Sequence, residues 1–126
     1  MKLLRALTFL STLAVAAPGM AAGNISQPAI APCPGEFYNV SMPQGATQCQ
    51  RFDDDMPASL IFHTPQSTES VLQWYQQHMP QLHVASQFNG RVVLTGAQNT
   101  IRVVVSPDHS GAQVDLLILD SLLASQ

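Results

Sequence analysis

The spacing of apolar and polar positions changes character several times along the chain. Lys2 and Arg5 precede an apolar run from Ala6 to Ala17, which Pro18 and Gly19 break before Met20-Ala21-Ala22. Asn24 to Gly35 has no apolar period and carries Pro28, Pro32 and Pro34. Ser59 to Thr64 is a compact apolar run, ended by Pro65. It predicts a strand, because the residue before proline resists helix and proline cannot continue a ladder.

The next stretch has the helical period. At about 100° per residue, Trp74, His78, Val71, Tyr75, Met79 and Leu72 fall within an arc roughly 160° wide, opposite Gln73, Gln76 and Gln77. Ser67 or Thr68 can cap this helix, Glu69 suits its first turn, and Pro80 stops it. Tyr75 lies near the middle of the arc and is expected in the core. His78 and Met79 are expected in the core or at its margin, and Trp74 at the margin.

Beyond Pro80 the period falls to two. Strands are expected at Leu82–Phe88, Arg91–Thr95, Thr100–Ser106 and Gln113–Asp120. Asn89-Gly90 is the preferred dipeptide for a type I′ hairpin. The expected fold class is therefore α+β: one amphipathic helix on a mainly antiparallel meander, in the order β-α-β-β-β-β, with a disulfide-tied N-terminal arm. Glu36 to Asp55 reads as irregular, with a short strand at Phe37–Ser41 and a solvated acidic turn at Asp53-Asp54-Asp55.

One departure from alternation bears on function. Leu117 and Leu119 oppose Leu116 and Ile118, so the last strand is apolar on both faces. A single helix covers one face of a sheet. The second face needs another cover: the N-terminal arm with Phe37, Tyr38 and Phe52 is the expected one, and another chain is the alternative.

The opening segment has the layout of a secretory signal peptide, and its apolar run is too short to span about 30 Å of hydrocarbon. The expected organisation is a signal at 1–22, a flexible proline-rich lead-in at 23–35 and one small α+β domain at 36–126. Its Lys-Leu-Leu-Arg start reads as bacterial, so the mature chain is expected in the periplasm or secreted, without membrane insertion after cleavage. In that setting the acceptor patterns at Asn24 and Asn39 carry no weight. Cys33 and Cys49 are then expected to form one structural disulfide, since they lie neither in a Cys-x-x-Cys motif nor beside a histidine.

Removing the signal also changes the charge. The whole chain has 126 residues, 46% hydrophobic and 10% charged, with net charge −3. The mature part has no lysine and only Arg51, Arg91 and Arg102 against eight carboxylates, a net charge of −5. That balance argues against nucleic acid and anionic membrane surfaces as partners. All thirteen glutamines lie in the mature part, where charged residues are more usual.

Candidate chemistry is sparse. There is no Gly-x-Ser-x-Gly elbow, no phosphate-cradling glycine loop and no EF-hand pattern at Asp53–Asp55. Asp108-His109-Ser110 reads as a turn, because catalytic triads converge from separated elements. A small hydrolase would need His63, His83 or His109 to meet a serine or carboxylate in space. His78, Met79 and His83 offer soft ligands suited to copper, but match no zinc template. The reading that follows is a non-catalytic protein-binding module without a cofactor: an accessory subunit, an inhibitor or an immunity-type factor. Its partner is another exported protein or a second copy, with Trp74, Leu117 and Leu119 as candidate contacts. The alternative is a periplasmic copper or small-ligand carrier using the His and Met residues.

Overall fold

A computed structural model describes residues 27–120, so the expected signal peptide at 1–22 and the last six residues lie outside the described residues. The expected α+β class is present: a mostly antiparallel β structure with one helix and a Cys33–Cys49 disulfide.

The arm opens with a small hairpin, β1 (Glu36–Phe37) and β2 (Val40–Ser41). Tyr38 and Asn39 turn it with φ of 47° and 65°, the left-handed pair that matches strand twist in two-residue hairpins. Next come β3 (Thr47–Phe52) and β4 (Ala58–Thr64). The helix α1 (Thr68–His78) is capped by Ser67, whose hydroxyl accepts from the Ser70 amide at 3.1 Å. Four strands complete the chain: β5 (His83–Phe88), β6 (Arg91–Gly96), β7 (Ile101–Asp108) and β8 (Gly111–Ile118). Six strands form one antiparallel sheet in the order β3-β4-β8-β7-β6-β5. Leu60↔Leu116, Leu116↔Val103 and Val103↔Leu94 are in register, so these four buried residues form one row across the sheet.

Strand β4 alternates without a break. Ala58, Leu60, Phe62 and Thr64 are buried, whereas Ser59, Ile61 and His63 are half-buried on the other face. Helix α1 lies over β6, β7 and β8 and buries Val71 and Tyr75 completely. Those residues are four apart, one above the other on a helix face, which fixes which side meets the sheet. Gly111 is required where β8 begins against the end of β4, because a Cβ there would overlap the Thr64 carbonyl oxygen and the Pro65 backbone.

Three findings differ from the expectations. First, the stretch read as irregular contains β3. Only Cys49 is buried in Thr-Gln-Cys-Gln-Arg-Phe, so an edge strand held by backbone pairing shows almost no hydrophobic period. Second, the arm does not cover the second sheet face. Phe37 and Val40 join the same core as Tyr75 and Phe62, and the Arg51 guanidinium lies 5.5 Å from the Phe37 ring centroid. Arg51 is paired with Leu60 and shares its face, so arm and helix lie on one side. Third, His78 is exposed: the buried stripe is Val71, Tyr75 and Met79, and His78 lies beside it, stacked on half-buried Trp74.

The disulfide fastens the arm beside β3. Ala31 and Cys49 exchange two backbone hydrogen bonds of 2.9 Å, and Gln50 Nε2 donates to the Pro28 carbonyl at 3.1 Å. One sheet edge is therefore covered by the chain's own arm. The disulfide closes a sequence separation of 16 residues. Its reduction is expected to lower unfolding free energy by about 3 kcal/mol in urea titrations, and an unchanged midpoint would refute a stabilising role.

Tyr75 gives a second test. Its phenol oxygen is buried without a hydrogen-bond partner among the described residues, and burial pushes its pKa far above the usual phenol value. Tyr75→Ala should cost about 3–5 kcal/mol through lost packing. Tyr75→Phe should match or exceed wild type, by about 1 kcal/mol, because it removes an unpaired buried hydroxyl. Thermal and urea denaturation of both variants reads the two effects separately.

Candidate protein-binding surface

The sheet face opposite the helix has no layer over it among the described residues. Register places three rows of side chains there. One contains Ser59, Leu117, Arg102, Thr95 and His83; the next contains Ile61, Asp115, Val104, Val93 and Ser86. The third contains His63, Gln113 and Ser106, with Arg91 and Phe88 continuing it. Ile61, Val93, Val104 and Leu117 are half-buried and form an apolar patch around Asp115. That neighbourhood explains the raised pKa of Asp115: burial against apolar neighbours disfavours its charge, partly offset by the Gln113 side chain, Arg91 and His63.

His63 and Asp108 meet at the end of this face, with Nδ1 and Oδ2 3.0 Å apart. Asp108 is held below the ordinary aspartate range, first by its hydrogen bond with His63 and then by the Ser110 amide. An ionised carboxylate only accepts, so His63 carries its proton on Nδ1 when neutral. Asp108 and Ser110 do form the expected turn contact, through the Ser110 backbone amide at 2.9 Å. The meeting with His63, 45 residues away in sequence, has no local signal and appears only after β4 and β8 pair. Among the described residues, no serine hydroxyl or free thiol hydrogen-bonds the His63 ring.

The sequence-selected contact residues do not form one surface. Trp74 lies on α1, half-buried, stacked on His78 at 4.3 Å between ring centroids and edge-on to Tyr75 at 5.0 Å. Leu117 lies on the opposite side of the sheet, within the apolar patch, and Leu119 follows the end of β8 with 39% exposure. His78 donates through Nδ1 to the Trp74 carbonyl, 2.9 Å away. Met79 is buried and His83 exposed on β5. No group of three His, Cys, Asp or Glu residues suited to a metal ion occurs among the described residues.

Sequence reasoning did not single out β5. It is the free edge of the sheet, and every one of its residues is exposed, including Phe88 at 76%. The helix only flanks it, with Thr68, Glu69 and Leu72 lining a shallow cleft with Gln87, and among the described residues neither face of β5 is covered. The observable signal was the run Ser86-Gln87-Phe88, which places a large aromatic among polar residues beside the Asn89-Gly90 turn. Comparison of the chain with protein-family models, with curated proteins and with solved structures finds no match.

The two aspartates predict opposite responses to pH. A carboxyl whose folded pKa is lowered stabilises the fold when ionised; one whose pKa is raised destabilises it. Asp108→Asn should therefore melt below wild type at pH 7, with the gap closing as pH falls below the ordinary aspartate value of 3.8. Asp115→Asn should melt above wild type at pH 7, with that gap closing on acidification through its raised value toward 3.8. Melting curves from pH 2.5 to 7 would show both (an approximate range spanning the carboxylate titration).

Proposed function

We propose that this chain is an exported, non-catalytic protein-binding module, acting in the periplasm or outside the cell, whose partner covers the open sheet face. The observation that carries the reading is the uncovered patch of Ile61, Val93, Val104 and Leu117 on a sheet whose other face carries the helix and the arm. An antiparallel sheet tolerates one solvated face when that face alternates to polar residues. Here the alternation is incomplete: four aliphatic side chains cluster around a carboxyl that burial already disfavours.

Polar neighbours complete an interface composition. Ser59, Thr95, Ser106 and Gln113 surround the patch and can hydrogen-bond a partner, while the aliphatic centre supplies desolvation. The disulfide is compatible with an oxidising compartment, and no described helix is long and apolar enough to cross a membrane.

Leu117→Glu supplies the test. The residue is only half-buried, so the variant should retain the wild-type far-UV spectrum. Partner capture from periplasmic extract by the mature chain, or self-association measured by light scattering, should weaken at least tenfold, or about 1.4 kcal/mol. A chain that stays monomeric and captures nothing, or binding that Leu117→Glu leaves intact, would count against the open face as the interface.

A further inference from the structure

Of the two edges of the six-stranded sheet, only one is closed by the chain itself. On β3 the arm supplies Ala31, which exchanges two hydrogen bonds with Cys49, and Pro28, which accepts from Gln50. On β5 nothing equivalent occurs among the described residues: β6 pairs with one side of it, and the other side faces outward. Proteins protect such edges with lysine, proline or inward-pointing charge. His83-Val84-Ala85-Ser86-Gln87-Phe88 contains none of these, although a bulge interrupts pairing between Val84 and Ser86.

The strands at this edge carry cations without carboxylates of their own, although Glu69 of the helix lines a cleft with Gln87 and Asp115 of β8 lies within electrostatic reach of Arg91. The chain between Glu69 and Asp108 contains no carboxylate, yet it holds Arg91 and Arg102. Both arginines, with His83, project from the open face of β5, β6 and β7. Arg91 donates through Nε to Ser106 Oγ at 3.1 Å, and neither arginine forms an ion pair among the described residues. Beside them, Phe88, Asn89, Arg91, Ser106 and Pro107 line a pocket of about 350 Å³.

We infer that β5 is a docking edge that accepts an extended, acidic segment of the partner protein as a seventh strand. The inference rests on the protein-binding reading and names the chemistry of the partner. Outward amides and carbonyls of β5 supply main-chain hydrogen bonds to the added strand, as in other cases of strand addition. Alternate side chains of that strand then lie over the open face. An apolar one fills the pocket beside Phe88. An aspartate or glutamate meets the Arg91 guanidinium from about 10 Å of backbone separation, the width of two strand spacings.

Charge selects this occupant over a second copy. Pairing β5 with β5 would bring the Arg91 and Arg102 faces of two copies together, with no acidic group on β5, on β6 or on β7 before Asp108 to meet them. The chain's own acidic run, Asp53–Asp55, follows β3 at the opposite edge.

The experiment uses the isotopically labelled mature chain and two capped hexapeptide probes, one alternating Val with Glu and the other Val with Lys. The Val/Glu peptide should slow hydrogen exchange at outward β5 amides and shift the Phe88 ring and Arg91 Nε signals, with affinity falling as salt rises. Arg91→Gln and Ser86→Glu should each weaken it at least tenfold while leaving the melting temperature near wild type, since both side chains are exposed. The Val/Lys peptide should leave β5 unchanged. Equal binding of both peptides, absence of β5 protection, or a dimer that Ser86→Glu dissociates would overturn the inference. A captured partner lost by Leu117→Glu but kept by Ser86→Glu would also overturn it, while leaving the protein-binding reading in place.

Discussion

The seating of Val71 and Tyr75 on β6, β7 and β8 is the contact on which the remaining arrangement depends. Two fully buried side chains four residues apart set both the helix rotation and the sheet face it covers. Their burial removes enough apolar surface to stabilise the fold by roughly 2–3 kcal/mol each. Every other feature of the helix follows from that rotation. Trp74 is left at the margin, where it stacks on His78, and the glutamines at 73, 76 and 77 face water. The phenol hydroxyl of Tyr75 is carried into the core by its ring, without a partner among the described residues.

A helix of eleven residues cannot roof six strands. It only flanks β5 on one side, and the β1–β2 hairpin extends the same layer toward β3 and β4 on the other. One layer is thereby completed from two sequence-distant pieces, with the disulfide holding the second piece at the β3 edge. The cost is that, among the described residues, nothing remains for the opposite face. Its patch, its His63–Asp108 pair and its arginines are consequences of where the covering material was used. The open face and the open edge adjoin each other, so one partner segment added to β5 would project side chains directly beside the patch.

Regular, strongly patterned elements were legible before any coordinates. The arc containing Val71 and Tyr75, the Ser67 cap, the Asn89-Gly90 turn and the period-two strands each depend on neighbours within a few residues. Strand β3 was not legible, because its one buried side chain, Cys49, leaves no repeat to detect. The position of His78 was misread for a related reason: helical angle gives a direction, but how wide a stripe of the helix the sheet covers decides whether that direction meets protein or water. Leu117 could be marked as an apolar residue on a second face. Val104, beside Arg102, breaks the alternation in the same way, but that these two join Ile61 and Val93 in one patch was not legible, since the four come from β4, β6, β7 and β8 and meet only through strand register.

By itself, the sequence determined the helix, the period-two strands, the single disulfide and an acidic composition without lysine among the described residues, all of which rest on local period, cysteine count or composition. Only the tertiary structure decided that the arm joins the helix on one face and that β4 inserts between β3 and β8. It also decided that His63 reaches Asp108 and that β5 is the uncovered edge. Those outcomes turn on which surfaces compete for the same covering layer. Side-chain period records that a residue wants cover, and carries no information about which distant segment reaches it first.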